Sequence, residues 1–300
     1  MTKGVPVRRV VLITGASSGI GKATAQALSA PGTALVLAAR ARNPLEVVAE
    51  ECRRDGAEAL VVTMDVRDAP QVQAGFREAL GEFGRIDAVV HSAAVLAYGR
   101  FDDVPAEVWN AAVASTVPGA ANVAREALRA FSPRGTGRLV FVGSVLGKIA
   151  VPGMSSYVTA KWALHGLVRT LQIEARQTPD IRISLVSPGG VDTPIYRLAG
   201  TYLGRHGQPP PPVVSPERVA SVVVRSLDRP RREVGVGLGN PVMVLGFRVF
   251  PALYDRLVTP LFQRIALARG HVPRTPGNVL EPRVPDEEKN VGAELVEDVQ

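Results

Sequence analysis

Short apolar runs alternate with amphipathic runs over the first 240 residues, and this alternation constrains the fold more than any other feature of the sequence. We predict strands at 8–15, 33–40, 57–66, 87–94, 137–144, 181–189 and 231–237, and helices at 19–30, 43–56, 70–83, 106–131, 155–176 and 215–227. Strands that alternate with helices form parallel sheets through right-handed crossovers, and near-continuous apolar strands are typical of a sheet covered on both faces. The sequence therefore predicts an α/β fold, a doubly wound parallel sheet of seven strands with helices on both faces.

The regions beyond this alternation differ in character. We predict a single α/β domain at 1–240, a C-terminal amphipathic helical extension at 241–280, and an acidic, poorly ordered tail at 281–300. Within the extension, apolar residues at 250, 253, 254, 257, 258, 261, 262 and 265 repeat with a helical period. We favour packing of this helix on its own domain or on a partner subunit; the alternatives are an interfacial membrane helix or a lid over an apolar substrate.

Composition excludes several classes of function. The net charge is +7, but the basic residues are scattered, mostly as arginine pairs, and no long basic run or zinc-finger spacing indicates a nucleic-acid partner or a metal site. No apolar span reaches membrane-crossing length, and no secretion signal is recognisable at the N-terminus. The single cysteine, Cys52, cannot form an intrachain disulfide. We therefore expect a cytoplasmic protein in a reducing compartment.

A glycine-rich turn, "TGASSGIG" at 14–21, joins the first predicted strand to the first predicted helix. Gly15 allows a sharp turn, and Gly19 and Gly21 remove side chains where a pyrophosphate must approach the N-terminus of a helix. Three hydroxyl side chains lie in the same turn: Thr14, Ser17 and Ser18. The cluster on its own is also compatible with a simple tight turn, but its position between strand and helix favours a dinucleotide.

Tyr157 and Lys161 are four residues apart in a predicted helix and therefore share one face of it. A free tyrosine has a pKa of about 10, which is too high for efficient proton transfer near neutrality. A neighbouring ammonium favours the phenolate, so we expect Lys161 to lower the pKa of Tyr157 and to suit it to acid–base work on a carbonyl/alcohol pair. Ser144, at the end of the preceding strand, can hydrogen-bond the substrate oxygen. The alternative is that both side chains merely place their polar tips in water.

The glycine turn, Ser144, the Tyr157-x-x-x-Lys161 motif and "PGGVDT" at 188–193 occur together and in this order. With these motifs the sequence resembles the classical short-chain dehydrogenase/reductase (SDR) family over residues 8–237. The resemblance implies a Rossmann-type fold with strand order 3-2-1-4-5-6-7 and an NAD(P)-dependent oxidoreductase. It also implies that Tyr157 gives its proton to the substrate oxygen while hydride passes to the adjoining carbon, and that Lys161 holds the nicotinamide ribose.

The second strand ends at Arg40, with Arg42 close by, and has no acidic residue to bind the ribose hydroxyls of NAD. Because a guanidinium pairs well with a 2′-phosphate, we expect NADP(H) rather than NAD(H). The alternative is that Arg40 only lies at the surface. The expected cofactor contacts, most of them implied by the resemblance, are Thr14, Gly15, Ser17, Ser18, Gly19, Ile20, Gly21, Arg40, Asp65, Val66, Ser92, Ala93, Ala94, Tyr157, Lys161, Pro188, Gly189, Val191 and Thr193.

The sequence departs from the family pattern at two positions. Thr116 stands where the family has an asparagine that holds a water in a proton relay to the lysine. Either Thr116 is the fourth catalytic residue with a rewired relay, or the enzyme is slower or inactive. His91 begins "HSAA" where the family usually has N-N-A-G. We interpret His91 as structural and assign it no proton transfer.

Taken together, the motifs predict an NADP(H)-dependent oxidoreductase acting on a small-molecule carbonyl or alcohol. The segment 195–214 is mostly apolar and proline-rich, which favours a hydrophobic substrate. We expect a homo-oligomer, a dimer or tetramer, and do not favour a membrane surface as partner. Two alternatives are a non-enzymatic dinucleotide-binding or regulatory protein of the same fold, and a carbonyl-linked reaction other than simple reduction.

Overall fold

The computed structural model of the chain describes residues 9–283. Its centre is a parallel sheet of seven strands: β1 Arg9–Thr14, β2 Thr33–Ala39, β3 Glu58–Thr63, β4 Ala88–His91, β5 Thr136–Val142, β6 Asp180–Pro188 and β7 Glu233–Val236. The strands lie in the order β3-β2-β1-β4-β5-β6-β7. The predicted doubly wound fold and its strand order are therefore confirmed.

Eight α-helices accompany the sheet in the described part of the chain: α1 Gly19–Leu28, α2 Arg42–Arg54, α3 Ala69–Phe83, α4 Ala106–Phe131, α5 Ser155–Glu174, α6 Pro216–Asp228, α7 Asn240–Val249 and α8 Pro251–Ile265. Local sequence explains several helix starts. Asp68 accepts a hydrogen bond from the backbone N–H of Gln71 at 3.0 Å, and Ser215 accepts one from Arg218 at 3.2 Å. Both are N-caps that satisfy donors left open by the first turn.

Each face of the sheet carries its own core. Apolar side chains of α3, α4 and α5 pack on one face, and those of α1, α2 and α6 pack on the other. Neighbouring residues of β1 divide between these cores, Leu12 to the first and Ile13 to the second, because successive side chains of a strand point to opposite faces. The continuous apolar strands of the sequence reflect this burial on both sides.

The strand order reverses between β1 and β4, which are neighbours in the sheet. Crevices beyond the carboxyl ends of such strands are where open α/β sheets bind ligands. The glycine turn follows β1, and Ser144 follows β5 by two residues. The topology therefore brings both motifs to the same edge of the sheet.

The C-terminal extension consists of α7, α8 and a following segment without regular structure. Phe247 of α7 lies between Trp162 of α5 and Tyr254 of α8, with ring centroids 6.1 and 5.2 Å away. The Tyr254 hydroxyl also donates to the carbonyl of Ala150 at 2.7 Å. Helices α7 and α8 therefore contact α5 and the segment that precedes it.

After α8 the chain turns back toward the carboxyl edge of the sheet. Thr275 pairs with Thr201, and Val279 is completely buried. The region predicted as an acidic tail begins at 281, and residues 284–300 lie outside the described residues. Among helices of residues 9–283, none combines the length and hydropathy needed to cross a bilayer.

Candidate active site

The glycine turn has the backbone that the sequence predicts. Gly15 and Gly19 adopt φ values of 69° and 52°, a region that other residues rarely enter. A Cβ on Gly15 would lie 2.8 Å from the backbone nitrogen of Ala93. A Cβ on Gly21 would lie within contact distance of the Gly15 carbonyl oxygen, so Gly21 serves the close packing of α1 against the turn.

The N-terminus of α1 is left open to the cavity beside the turn. Ser18 occupies the N-cap position, but its side chain makes no capping hydrogen bond. Ser17, Ser18, Gly19 and Ile20 all line the cavity. Open backbone donors and the helix dipole together favour an anion here, so these residues fit the pyrophosphate of a dinucleotide.

Ser144, Tyr157 and Lys161 converge beyond the end of β5. Ser144 is buried, and its hydroxyl accepts a hydrogen bond from the Leu146 N–H at 3.1 Å. The Lys161 ammonium donates to the carbonyl of Val142 at 3.0 Å and lies 5.4 Å from the centre of the Tyr157 ring. Phenol, ammonium and hydroxyl therefore occupy one site, as the sequence predicts.

The acid–base properties of this site differ from the expectation. Burial raises the pKa of Tyr157, the nearby Tyr196 raises it further, and a hydrogen bond with Ser144 acts in the opposite direction. Burial also lowers the pKa of Lys161 to about 8. The expected lowering of the Tyr157 pKa by Lys161 is therefore wrong, because desolvation raises this pKa and Lys161 donates to the carbonyl of Val142.

Two cavities meet at these residues. One, of about 220 Å³, extends from the glycine turn along the carboxyl edge of the sheet, and the other, of about 370 Å³, extends beneath α7 and α8. The residues that line both are Ser144, Tyr157, Gly189, Ile195 and Tyr196. Two ligands, one in each cavity, would therefore meet at Tyr157.

The structure brings most of the predicted site residues to the first cavity, which we call the cofactor cavity. Those in its wall are Gly15, Ser17, Ser18, Gly19, Ile20, Arg40, Asp65, Val66, Ser92, Ala93, Ala94, Ser144, Tyr157, Lys161, Pro188, Gly189, Val191 and Thr193. Thr14, Gly21 and Thr116 are not part of that wall. Thr14 is completely buried and lies 3.0 Å, oxygen to nitrogen, from His91.

The two positions that depart from the family pattern are both buried. Thr116 is 1% exposed, and its hydroxyl has no hydrogen-bond partner among residues 9–283. His91 packs edge-on against Phe141, and burial lowers its pKa to about 3. His91 is therefore a neutral side chain of the core, in keeping with the structural role predicted for it.

Arg40 lines the cofactor cavity but is also tied to the C-terminal segment. Its guanidinium donates to the carbonyls of Asn278 at 2.6 Å and Val279 at 3.3 Å. Burial lowers its pKa and the nearby Asp65 raises it. Two guanidinium nitrogens are thus partly engaged by the protein, while further N–H groups stay available to a ligand.

The sequence reading did not assign Asn278, Pro282 and Arg283 to the cofactor cavity, yet all three line it. The side-chain oxygen of Asn278 is buried and has no hydrogen-bond partner in the described part of the chain. The turn composition of "TPGN" at 275–278 was the available signal, since such residues mark a fixed turn rather than a disordered tail. We call residues 275–283 the C-terminal strap.

The second cavity is mainly apolar. Its wall includes Ile195, Tyr196 and the prolines at 210–212 from the proline-rich segment, together with side chains of α7 and α8. Leu96, Tyr98 and Met154 line its inner end. The segment predicted to recognise the substrate therefore does form part of this wall, joined by the C-terminal helices.

A family model for short chain dehydrogenases matches residues 9–201 of the chain. The chain belongs to this family. It is accordingly an NAD(P)-dependent dehydrogenase or reductase, and the alternative of a non-enzymatic protein is not supported.

Individual relatives agree with this assignment. The uncharacterised oxidoreductase YxnA of Bacillus subtilis is 33% identical over 256 residues, which are 83% of this chain and 71% of the relative. The cis-4-hydroxycyclohexanecarboxylate dehydrogenase of Sinomonas cyclohexanicum is 33% identical over 72% of this chain and 87% of the relative. The chain is thus similar to oxidoreductases over most of its SDR domain.

Solved structures support the same family. The alcohol dehydrogenase of the archaeon Thermococcus sibiricus, complexed with 5-hydroxy-NADP, superposes with a TM-score of 0.66 at 30% identity, covering 76% of this chain and 95% of the other. A short-chain dehydrogenase/reductase of Mycobacterium marinum gives a TM-score of 0.68 at 28% identity, covering 79% and 96%.

Proposed function

We propose that this SDR enzyme transfers hydride between NADP(H) and a hydrophobic carbonyl or alcohol substrate, with Tyr157 as the general acid and base. The observation that carries the proposal is the meeting of the two cavities at Ser144 and Tyr157. A cofactor in one cavity and an apolar substrate in the other would both reach the phenol.

The chain's own groups perform the proton chemistry. Bound in the cofactor cavity, the nicotinamide supplies hydride for reduction or accepts it for oxidation. In reduction, the carbonyl carbon gains the hydride, the C=O π pair moves onto oxygen, and Tyr157 gives that oxygen its proton. Burial holds Tyr157 in its protonated form, which is the form that a reductase requires.

Ser144 and Lys161 support this transfer. Ser144 donates a hydrogen bond to the substrate oxygen and fixes it beside the phenol. The Lys161 ammonium stabilises the tyrosinate left after proton transfer and holds the nicotinamide ribose hydroxyls. The buried, unpartnered hydroxyl of Thr116 fits a water of the proton relay, in place of the family's asparagine.

The preference for NADP(H) rests on charge at the adenosine end of the cofactor cavity. Arg40 and Arg283 both line this region. Asp65, the nearest carboxylate in the wall, is neutralised by a bidentate ion pair with Arg67 at 2.6–3.1 Å. The local balance is therefore positive, which favours a 2′-phosphate. The expected dimer or tetramer and the cytoplasmic location stay proposals alongside it.

The test is a substrate and cofactor screen. We would follow NADPH and NADH oxidation at 340 nm with ketones and aldehydes of increasing apolar size, using the wild type, Arg40→Ala and Arg42→Ala. Arg42 is a matched control because it is exposed and pairs with Glu46 at 2.8 Å.

We expect turnover of apolar carbonyls with NADPH favoured over NADH, and a preference that falls about tenfold in Arg40→Ala, roughly 1.4 kcal/mol, but not in Arg42→Ala. Absence of turnover with every carbonyl and with the corresponding alcohols would overturn the proposed function. An NADH preference in the wild type would overturn the cofactor assignment alone.

A further inference from the structure

Exposed apolar side chains concentrate on the C-terminal helices. Among the described residues, large hydrophobic side chains with exposed surfaces number 14, and nine of them lie between Leu238 and Leu261. The nine are Leu238, Val242, Met243, Leu245, Val249, Phe250, Leu253, Leu257 and Leu261, which we call the C-terminal apolar surface. Scattered apolar residues need no explanation, but a contiguous group marks an interaction surface.

The pattern of α8 shows that this exposure is not a loosely packed helix. Tyr254, Val258 and Phe262 recur every four residues and turn inward, with Phe262 only 7% exposed. Leu253, Leu257 and Leu261 form the neighbouring row and are 52–57% exposed. The apolar stripe of α8 is thus wider than the surface that the domain covers, and the leucine row stays exposed and available to a partner.

This surface is continuous with the second cavity, which we call the substrate cavity. Five of its residues are both more than half exposed and part of the cavity wall: Val242, Phe250, Leu253, Leu257 and Leu261. The cavity therefore opens through the apolar surface. A partner bound to this surface would therefore cover the opening that leads to Tyr157.

The charges beside this surface are positive. Helices α7 and α8 carry three arginines, Arg248, Arg256 and Arg264, and one acidic residue, Asp255. All three arginines are exposed, and no carboxylate within residues 9–283 forms an ion pair with them. Arg256 and Arg264 follow Leu253 and Leu261 by three residues, so they adjoin the exposed leucine row.

Two observations indicate which partner binds here: the cavity opens through the apolar surface, and the arginines beside this surface are unpaired. A second copy of the chain seated on the leucine row would cover the cavity mouth and would bring two sets of three unpaired arginines to one interface. An anionic lipid surface pairs with the arginines, accepts the apolar row, and is itself the phase into which apolar carbonyls partition.

We propose that the C-terminal apolar surface seats the enzyme on an anionic lipid surface, so that apolar substrates enter the cavity from the lipid. Lipid binding stands on the surface alone; the substrate route rests on the proposed function.

The test uses flotation of the full chain with vesicles of equal parts phosphatidylcholine and phosphatidylglycerol. The variant Leu245→Asp/Val249→Asp places two charges on exposed residues of α7 that do not line the cavity. Val47→Asp/Ile173→Asp is the matched control, since these residues are equally exposed but lie on α2 and α5.

We expect the wild type and the control to float, and the α7 variant to bind at least about tenfold more weakly. Binding should weaken in pure phosphatidylcholine. A wild type that stays at the bottom of the gradient would overturn the proposal. A second result would also overturn it: light scattering shows a dimer, and only the α7 variant is a monomer. The C-terminal apolar surface would then be the interface between two copies of the chain.

Turnover of a small water-soluble ketone separates this proposal from the proposed function. The α7 variant should retain the wild-type rate, because its substitutions lie outside both cavities. Wild-type turnover without flotation contradicts the lipid surface only. Flotation without turnover of any carbonyl contradicts the enzymatic proposal only.

Discussion

Burial shifts the pKa values of Tyr157 and Lys161 in opposite directions, because the phenol is charged when it loses its proton and the amine is charged when it keeps it. The sequence spacing correctly placed the two groups on one helix face. It could not give the balance between desolvation and attraction, since that depends on β5 and on Tyr196, which are distant in the sequence. The sequence therefore predicts which residues form the acid–base pair, but it does not predict their pKa values.

The Lys161 amine sets an upper pH limit for reduction. Its pKa of about 8 means that the ammonium is present below this pH and lost above it. We expect kcat for carbonyl reduction to fall as pH rises through about 8, in a profile measured at saturating NADPH. In Lys161→Arg, whose charge persists, the fall should move to higher pH. A wild-type kcat that stays constant well past pH 9 would show that this proton does not matter.

His91 should make the fold sensitive to acid. Its pKa falls from 6.5 to about 3 on folding, so between these values the unfolded chain holds a proton that the folded chain lacks. Stability is therefore unaffected above about pH 6.5 and falls as the pH drops below it, by about 2 kcal/mol at pH 5.

Urea unfolding of His91→Asn at pH 7.5 and pH 5 measures this contribution. The variant should lose less stability than the wild type between the two pH values. His165, whose pKa burial lowers to about 4, acts in both proteins and cancels in the difference. Identical losses would refute the assignment to His91.

At the scale of elements, the alternation of apolar and amphipathic runs was sufficient to predict the seven sheet strands and six of the helices. The helix α7 was not separated from the extension, since Pro241 and Gly246 interrupt its pattern. The C-terminal strap was also missed, because its fixation depends on partners far away in the sequence. Arg40, for example, holds residues about 240 positions further along the chain.

The C-terminal strap gives a prediction of its own. Gly277 has φ of +58°, and a Cβ there would clash with the carbonyl group of Ala199. Gly277→Val should therefore displace the strap from the cofactor cavity and weaken NADPH binding by about tenfold, roughly 1.4 kcal/mol, as measured by calorimetry. The control is Gly81→Val in α3, where a Cβ meets nothing. Equal NADPH affinity in all three proteins would exclude the strap from the site.

At the scale of the whole molecule, the two ends of the chain cooperate in one site. The sheet edge builds the cofactor cavity, the C-terminal helices cover the second cavity, and the strap lines the cofactor cavity. Net charge and composition exclude other classes of protein. They do not indicate that the C-terminal helices and the strap complete the two cavities. Only the motifs pointed to the chemistry, and only the fold brought the second cavity to the same phenol.

The central claim is that the Tyr157 phenol transfers the proton, and single-turnover kinetics of Tyr157→Phe with an apolar ketone test it most directly. We predict that the variant still binds NADPH and loses at least about 100-fold in the rate of NADPH oxidation. A variant that oxidises NADPH at the wild-type rate would contradict the claim.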